Sequence, residues 1–142
     1  MVRAQHSIEI NAPAEKVFDM VADFASYPDV LRPEVEETVV RNKSKDAAEV
    51  EFTVKLVKRV HYTLKYKLAK PKNITWSLLD GDPILKTNSG RYVLAKLDGS
   101  RTRLTCTMDV EFGGWVPNSI VGSLMNSHLP SMLKRFKEHA EE

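Results

Sequence analysis

The sequence predicts an α+β fold: a curved antiparallel sheet of about seven strands around a long C-terminal helix, with two short helices after the first strand. Three observations predict it. Residues 48–69 and 104–112 alternate apolar and polar side chains with a period of two, the mark of strands that bury one face. Residues from Pro117 to about Glu141 carry apolar side chains at helical spacing. At 1.5 Å per residue that helix is about 24 residues and ~36 Å long, and no other helical segment has the reach to cover such a sheet.

The elements follow in order. Residues 3–10 alternate towards Ile8 and Ile10 and form a short strand. Pro13 suits a helix's first turn, because its fixed φ fits and its missing N–H would be unpaired there. Glu15 then complements the helix dipole, and Val17, Phe18, Met20 and Val21 give an apolar face that Asp23 ends. Residues 24–31 form a second short helix, interrupted at Tyr27-Pro28. Val35 to Val40 is a strand, followed by a turn at Asn42–Asp46.

Within residues 48–69, Val50, Phe52, Val54 and Leu56 share one face, and Val60, Tyr62, Leu64, Tyr66 and Leu68 continue on even positions. The run exceeds the usual strand of about 3–10 residues, so a hairpin is expected near Val57-Lys58-Arg59. Ile74, Trp76 and Leu78 mark the next strand, and residues 85–97, with Gly90, Tyr92 and Leu94, another. Asp98-Gly99-Ser100 is a hairpin turn. Leu104, Cys106, Met108, Val110 and Phe112 face one way in the last strand. Gly113-Gly114-Trp115-Val116-Pro117 breaks it and opens the long helix. The helix stripe is Ile120, Val121, Leu124, Met125, His128, Leu129, Met132, Leu133 and Phe136, with Pro130 predicting a kink. Lys134, Arg135 and Lys137 suit the dipole at its end.

A chain of 142 residues without repeats or linkers reads as one domain over residues 1–142. Its 21 basic and 19 acidic residues leave a net charge of +2, too small to argue for nucleic acid or an anionic membrane. Cys106 is the single cysteine, so no intrachain disulfide forms, which fits a cytoplasmic protein. The N-terminus lacks the apolar run of a signal peptide, and no stretch nears the ~18–20 apolar residues of a membrane span, so no stable membrane insertion is expected. His6, His61, His128 and His139 are scattered without metal-site spacing, and no metal is expected. No glycine-rich phosphate loop is present and no cofactor is expected. Lys55, Lys58, Arg59, Lys65, Lys67, Lys70 and Lys72 concentrate around the central hairpin and read as a solvated outer face. A protein partner is left open.

Phe52, Val54, Tyr62, Tyr66, Trp76, Tyr92, Met108, Phe112 and Trp115 fall on the inward side of the sheet and its exit, facing Leu124, Met125 and His128 of the helix. Core packing is the ordinary use of each. As a set, they suit a cavity for an apolar small molecule, since Tyr and Trp pair an apolar body with one polar tip and Met adapts its shape. Tyr62, Tyr66, His128 and Arg91 are the candidates for acid–base chemistry, with parity placing Arg91 opposite Tyr92.

The run Ile8-x-Ile10-x-x-Pro13-x-Glu15-x-Val17-Phe18-x-x-Val21-Ala22-Asp23-Phe24-x-x-Tyr27-Pro28 resembles the opening of the polyketide cyclase/dehydrase and START-like (SRPBCC) superfamily. Ile74-x-Trp76, Gly90-x-Tyr92 and Trp115-x-Pro117 are similar as well, and the nearest branch looks like the coenzyme Q-binding proteins. After Tyr27-Pro28 the chain departs from that branch, reading Asp29-Val30-Leu31-Arg32-Pro33. The resemblance implies a helix-grip fold of the birch-pollen-allergen type. It also implies binding or carriage of a lipid, isoprenoid quinone or polyketide, or else a polyketide cyclase/dehydrase or aromatase activity.

Overall fold

Seven antiparallel strands form one sheet in the order β1-β7-β6-β5-β4-β3-β2. The computed structural model describes residues 1–55, 58–114 and 116–142. β1 (Val2–Ile10) leads to α1 (Ala14–Val21), a 3-10 turn (Phe24–Ser26) and α2 (Tyr27–Val30). Then come β2 (Val35–Arg41), β3 (Ala47–Lys55), β4 (Arg59–Ala69), β5 (Asn73–Gly81), β6 (Leu85–Asp98), β7 (Arg101–Phe112) and α3 (Asn118–Ala140). β2 to β7 run as a meander, and β1 pairs with β7. The two edge strands, β1 and β2, are therefore joined through α1 and α2. The expected order of elements is the observed one.

The register keeps the apolar residues on one face. Val50 lies opposite Leu64, Phe52 opposite Tyr62, Tyr66 opposite Trp76, Ile74 opposite Tyr92, and Leu94 opposite Leu104. Register shifts interrupt β2, β5 and both ends of β6, and such bulges increase twist and bend a sheet. β5 pairs with β6 through Asn73–Trp76 among the described residues, so beyond Trp76 and Gly90 the strands part. β3 and β4 pair as far as Lys55 and Arg59, which sets the reversal where expected; Leu56 and Val57 lie outside the described residues.

α3 packs chiefly against β1 and β7. It buries Val121, Met125, Leu129, Met132, Leu133, Phe136 and Ala140. Two expectations for this helix need correction. Ile120 belongs to the first turn but is 44% exposed, because the buried stripe runs through Val121, Met125, Leu129, Met132 and Phe136 and helical spacing turns Ile120 away from it. Arg135 does not serve the dipole: its guanidinium reaches across to Glu34, just before β2. The helix continues on both sides of Pro130, and Pro117 with its extended backbone caps the start rather than entering the first turn. No described helix is long and apolar enough to cross a membrane.

Gly90 is the narrow point of the sheet. A Cβ there would collide with the Thr107 carbonyl oxygen and come within 2.6 Å of the Trp76 ring. Neither the strand backbone nor an indole wedged against it can yield cheaply. Gly90→Ala is therefore expected to lower the unfolding free energy by about 2–3 kcal/mol, the upper part of the overpacking range, as measured by urea denaturation.

Candidate functional site

A cavity of about 140 Å³ lies between the concave face of the sheet and α3. Its walls are Phe52 and Val54 of β3, Tyr62 and Tyr66 of β4, Trp76 of β5, Tyr92 of β6, Met108 and Phe112 of β7, and Leu124, Met125 and His128 of α3. Alternation in the strands and the turn-by-turn spacing of α3 turn all of these inward. Trp115, expected with them, lies outside the described residues. Arg91 is corrected: it is exposed on the outer face between Thr75 and Thr107, because its neighbour Tyr92 takes the inward position. It therefore has no access to a guest in the cavity.

Six aromatic rings close a circuit beneath the cavity. Tyr27 contacts Phe52 at 6.1 Å between centroids, Phe52 contacts Tyr66 at 6.4 Å, and Tyr66 contacts Trp76 at 6.1 Å. Trp76 meets Tyr92 at 5.1 Å, Tyr92 meets Phe136 edge-on at 6.1 Å, and Phe136 returns to Tyr27 at 5.6 Å. These separations fall in the favourable range for tilted and edge-to-face pairs. The circuit ties β3, β4, β5, β6, α3 and α2 together and gives the cavity a rigid base.

Polar tips are placed at defined points in this apolar frame. The Trp76 indole N–H donates to Asn88 Oδ1 at 3.0 Å, a buried bond that fixes the ring above Gly90. The Tyr27 hydroxyl donates to the Val21 carbonyl, anchoring α2 to the end of α1. The Tyr92 hydroxyl faces Met132 Sδ at 3.8 Å. Half-buried Tyr62, Phe112, Leu124 and His128, with Glu34, mark where the wall reaches solvent.

Charge at that rim is organised by one ion pair. Arg135 donates from Nη1 and Nη2 to the two carboxylate oxygens of Glu34, and each side chain is 23% exposed. The hydrogen bonds from Arg135 hold the Glu34 carboxyl below its ordinary pKa. Burial lowers the imidazole of His128, with Glu34 opposing and Arg135 adding to the effect. Burial raises the phenols of Tyr27, Tyr62, Tyr66 and Tyr92 and the thiol of Cys106. At neutral pH the phenols are therefore donors, and His128 is the lining group with a free base. No cluster of three or more His, Cys, Asp or Glu suited to a metal occurs among the described residues.

Sequence reasoning missed three polar-tipped lining residues, Tyr27, Glu34 and Asn88, and nine apolar ones, Leu129 and Met132 among them. Asn88 carried a usable signal, since it shares the parity of Tyr92 and is a polar residue at an inward position. Glu34 precedes its strand and Tyr27 sits in a one-turn helix, where no periodicity applies. Outside the cavity, all seven cations of the central hairpin are exposed as expected, and Arg59 and Lys70 pair with Glu36 and Asp19.

A sheet gripping one long helix over an apolar hollow defines a ligand-cavity fold. The family model described as polyketide cyclase/dehydrase and lipid transport matches residues 1–141, and the chain belongs to that family. The match is at this broad level and does not reach the coenzyme Q-binding branch. None of the curated proteins compared matches the chain. Solved structures share the fold at low identity. The chain is similar to a Zhui aromatase/cyclase from Streptomyces sp. R1128, with 20% identity, a TM-score of 0.84, and 99% of this chain and 93% of that one covered. It is similar to a protein from Thermus thermophilus at 19% identity and TM-score 0.87, covering 98% and 97%. It is also similar to a START superfamily protein from Mycobacterium smegmatis at 21% identity and TM-score 0.85, covering 98% and 97%.

The buried phenols predict a specific alkaline behaviour. Their folded pKa values are raised, so their contribution to stability is complete below the unfolded value near 10 and is lost as pH rises above it. Phenolate absorbance near 295 nm should therefore appear together with cooperative loss of near-ultraviolet circular dichroism. A separate phase near pH 10 in the folded protein would contradict the burial of these groups.

Proposed function

We propose that this protein binds and carries an apolar small molecule in the cavity between the sheet and α3. The observation that supports this reading is the cavity of about 140 Å³ itself, walled by aromatic, aliphatic and methionine side chains. The volume is close to that of a cavity of about 150 Å³ that admits benzene, and below the ~300–1,000 Å³ of drug-sized sites. One or two rings, or a short alkyl segment, fit inside; a lipid, isoprenoid quinone or polyketide would place one end there and extend through the rim. Hiding about 200 Å² of apolar guest surface gives about 5 kcal/mol before association costs, so small probes bind weakly and natural guests are larger.

A second reading, a cyclase/dehydrase or aromatase, is favoured by one observation: His128 presents a neutral imidazole to the cavity. Such an enzyme would use His128 as base and the Tyr62 and Tyr66 phenols as donors to enolate oxygens. The carrier reading ranks first because, among the described residues, no hydrogen bond couples His128 to either phenol and the lining is predominantly apolar.

Two measurements separate the readings. Native protein extracted with organic solvent should release a lipid-like or aromatic molecule detectable by mass spectrometry, or take one up on incubation. Leu124→Trp, which plugs the half-exposed rim of the cavity, should weaken uptake at least about tenfold, or about 1.4 kcal/mol, with the circular dichroism spectrum unchanged. Turnover of a poly-β-keto mimic that His128→Ala abolishes would instead select the enzyme reading.

A further inference from the structure

The cavity wall holds one formal charge. Among the described residues that line it, Glu34 is the only acid, and there is no lysine or arginine. The cation that neutralises Glu34 is not itself part of the lining. Arg135 Nη1 donates to the Glu34 carboxylate and to the Arg32 carbonyl at 2.7 Å, and Nη2 donates to the carboxylate at 3.0 Å and to the Ser131 hydroxyl at 2.9 Å. Both terminal nitrogens of the guanidinium are thus committed to protein acceptors, while the carboxylate it holds faces the hollow. The remaining polar lining groups are Asn88, the phenols and His128, which are neutral at neutral pH.

We propose that the cavity selects neutral guests and rejects carboxylates, with Glu34 as the selecting residue. The inference rests on the reading that the cavity takes an apolar guest at all. A carboxylate that moved inside would leave water, meet no free cation, and face a second carboxylate at the rim. Burying an unpaired charge carries a penalty that apolar contacts of this area do not offset. A phenol, alcohol or ketone meets neither penalty. Glu34 accepts a bond from a guest hydroxyl, and the His128 ring nitrogens serve either as donor or as acceptor. The class this cavity fits is therefore the neutral, oxygen-bearing aromatic or isoprenoid molecule, and free fatty acids and aromatic acids fall outside it.

The test uses two probes with one ring system, 2-naphthol and 2-naphthoate, titrated calorimetrically at neutral pH. The wild-type protein should bind the naphthol at least tenfold more tightly. Glu34→Gln, which keeps the shape and removes the charge, should raise naphthoate affinity and narrow the ratio between the two probes to about threefold or less. Thermal melts establish that the variant is folded; if it is not, the double variant Glu34→Gln/Arg135→Gln removes both charges and carries the same expectation of a narrowed ratio. Equal binding of both probes to the wild type, or a preference that survives removal of Glu34, overturns the inference while leaving the apolar-guest reading intact. Failure of both probes to bind the wild type overturns both.

Discussion

A helix about 10–12 Å across cannot cover seven strands spaced about 4.8 Å apart. Everything else in this molecule is a response to that mismatch. The sheet carries one apolar face, and an apolar face exposed to water costs about 25 cal/mol per Å². Bulges in β2, β5 and β6 bend the sheet so that its edges approach α3, and α1 and α2 extend the cover from β1 to β2. The helix settles against β1 and β7, away from the middle strands. What remains uncovered between α3 and β3 to β6 becomes the hollow.

The hollow persists because its frame is stiff. Six aromatic side chains brace one another from six different elements, and large rings cannot slide inward without breaking several contacts at once. Trp76 is seated by two independent constraints, the bare Cα of Gly90 beneath it and the Asn88 amide at its indole N–H. On the far side, Arg135 and Glu34 bridge α3 to the start of β2, where few apolar contacts join them. Packing thus fixes the base of the cavity, and a polar pair fixes its rim.

The parts of this arrangement that obey a period were legible in the sequence. Alternation from Val50 to Leu68 and from Leu104 to Phe112 put Phe52, Tyr62, Tyr66 and Met108 on the concave face, and helical spacing placed Met125 and His128 across from them. Parity also warned against Arg91, which stands among the acid–base candidates although its neighbour Tyr92 holds the inward position. The parts that depend on where loops return were not legible. Tyr27 reads as a local residue beside Pro28, yet its ring completes the aromatic circuit because α2 folds back under β3. Glu34 lies outside any strand and its partner Arg135 is 101 residues away, a pairing that no local pattern announces. Ile120 joins the apolar stripe by its hydrophobicity, yet the buried face is centred on Val121, Met125, Leu129, Met132 and Phe136 and leaves Ile120 turned to solvent.

The claim on which this account stands is physical rather than biochemical: seven strands and one helix enclose space that their own side chains leave empty. Diffraction from crystals of the protein pressurised with xenon tests it directly, because xenon enters dry apolar cavities and is visible without any assumption about a natural guest. The account predicts xenon bounded by Phe52, Tyr66, Trp76 and Leu129. A xenon-free interior, with those four side chains in mutual van der Waals contact, would contradict it.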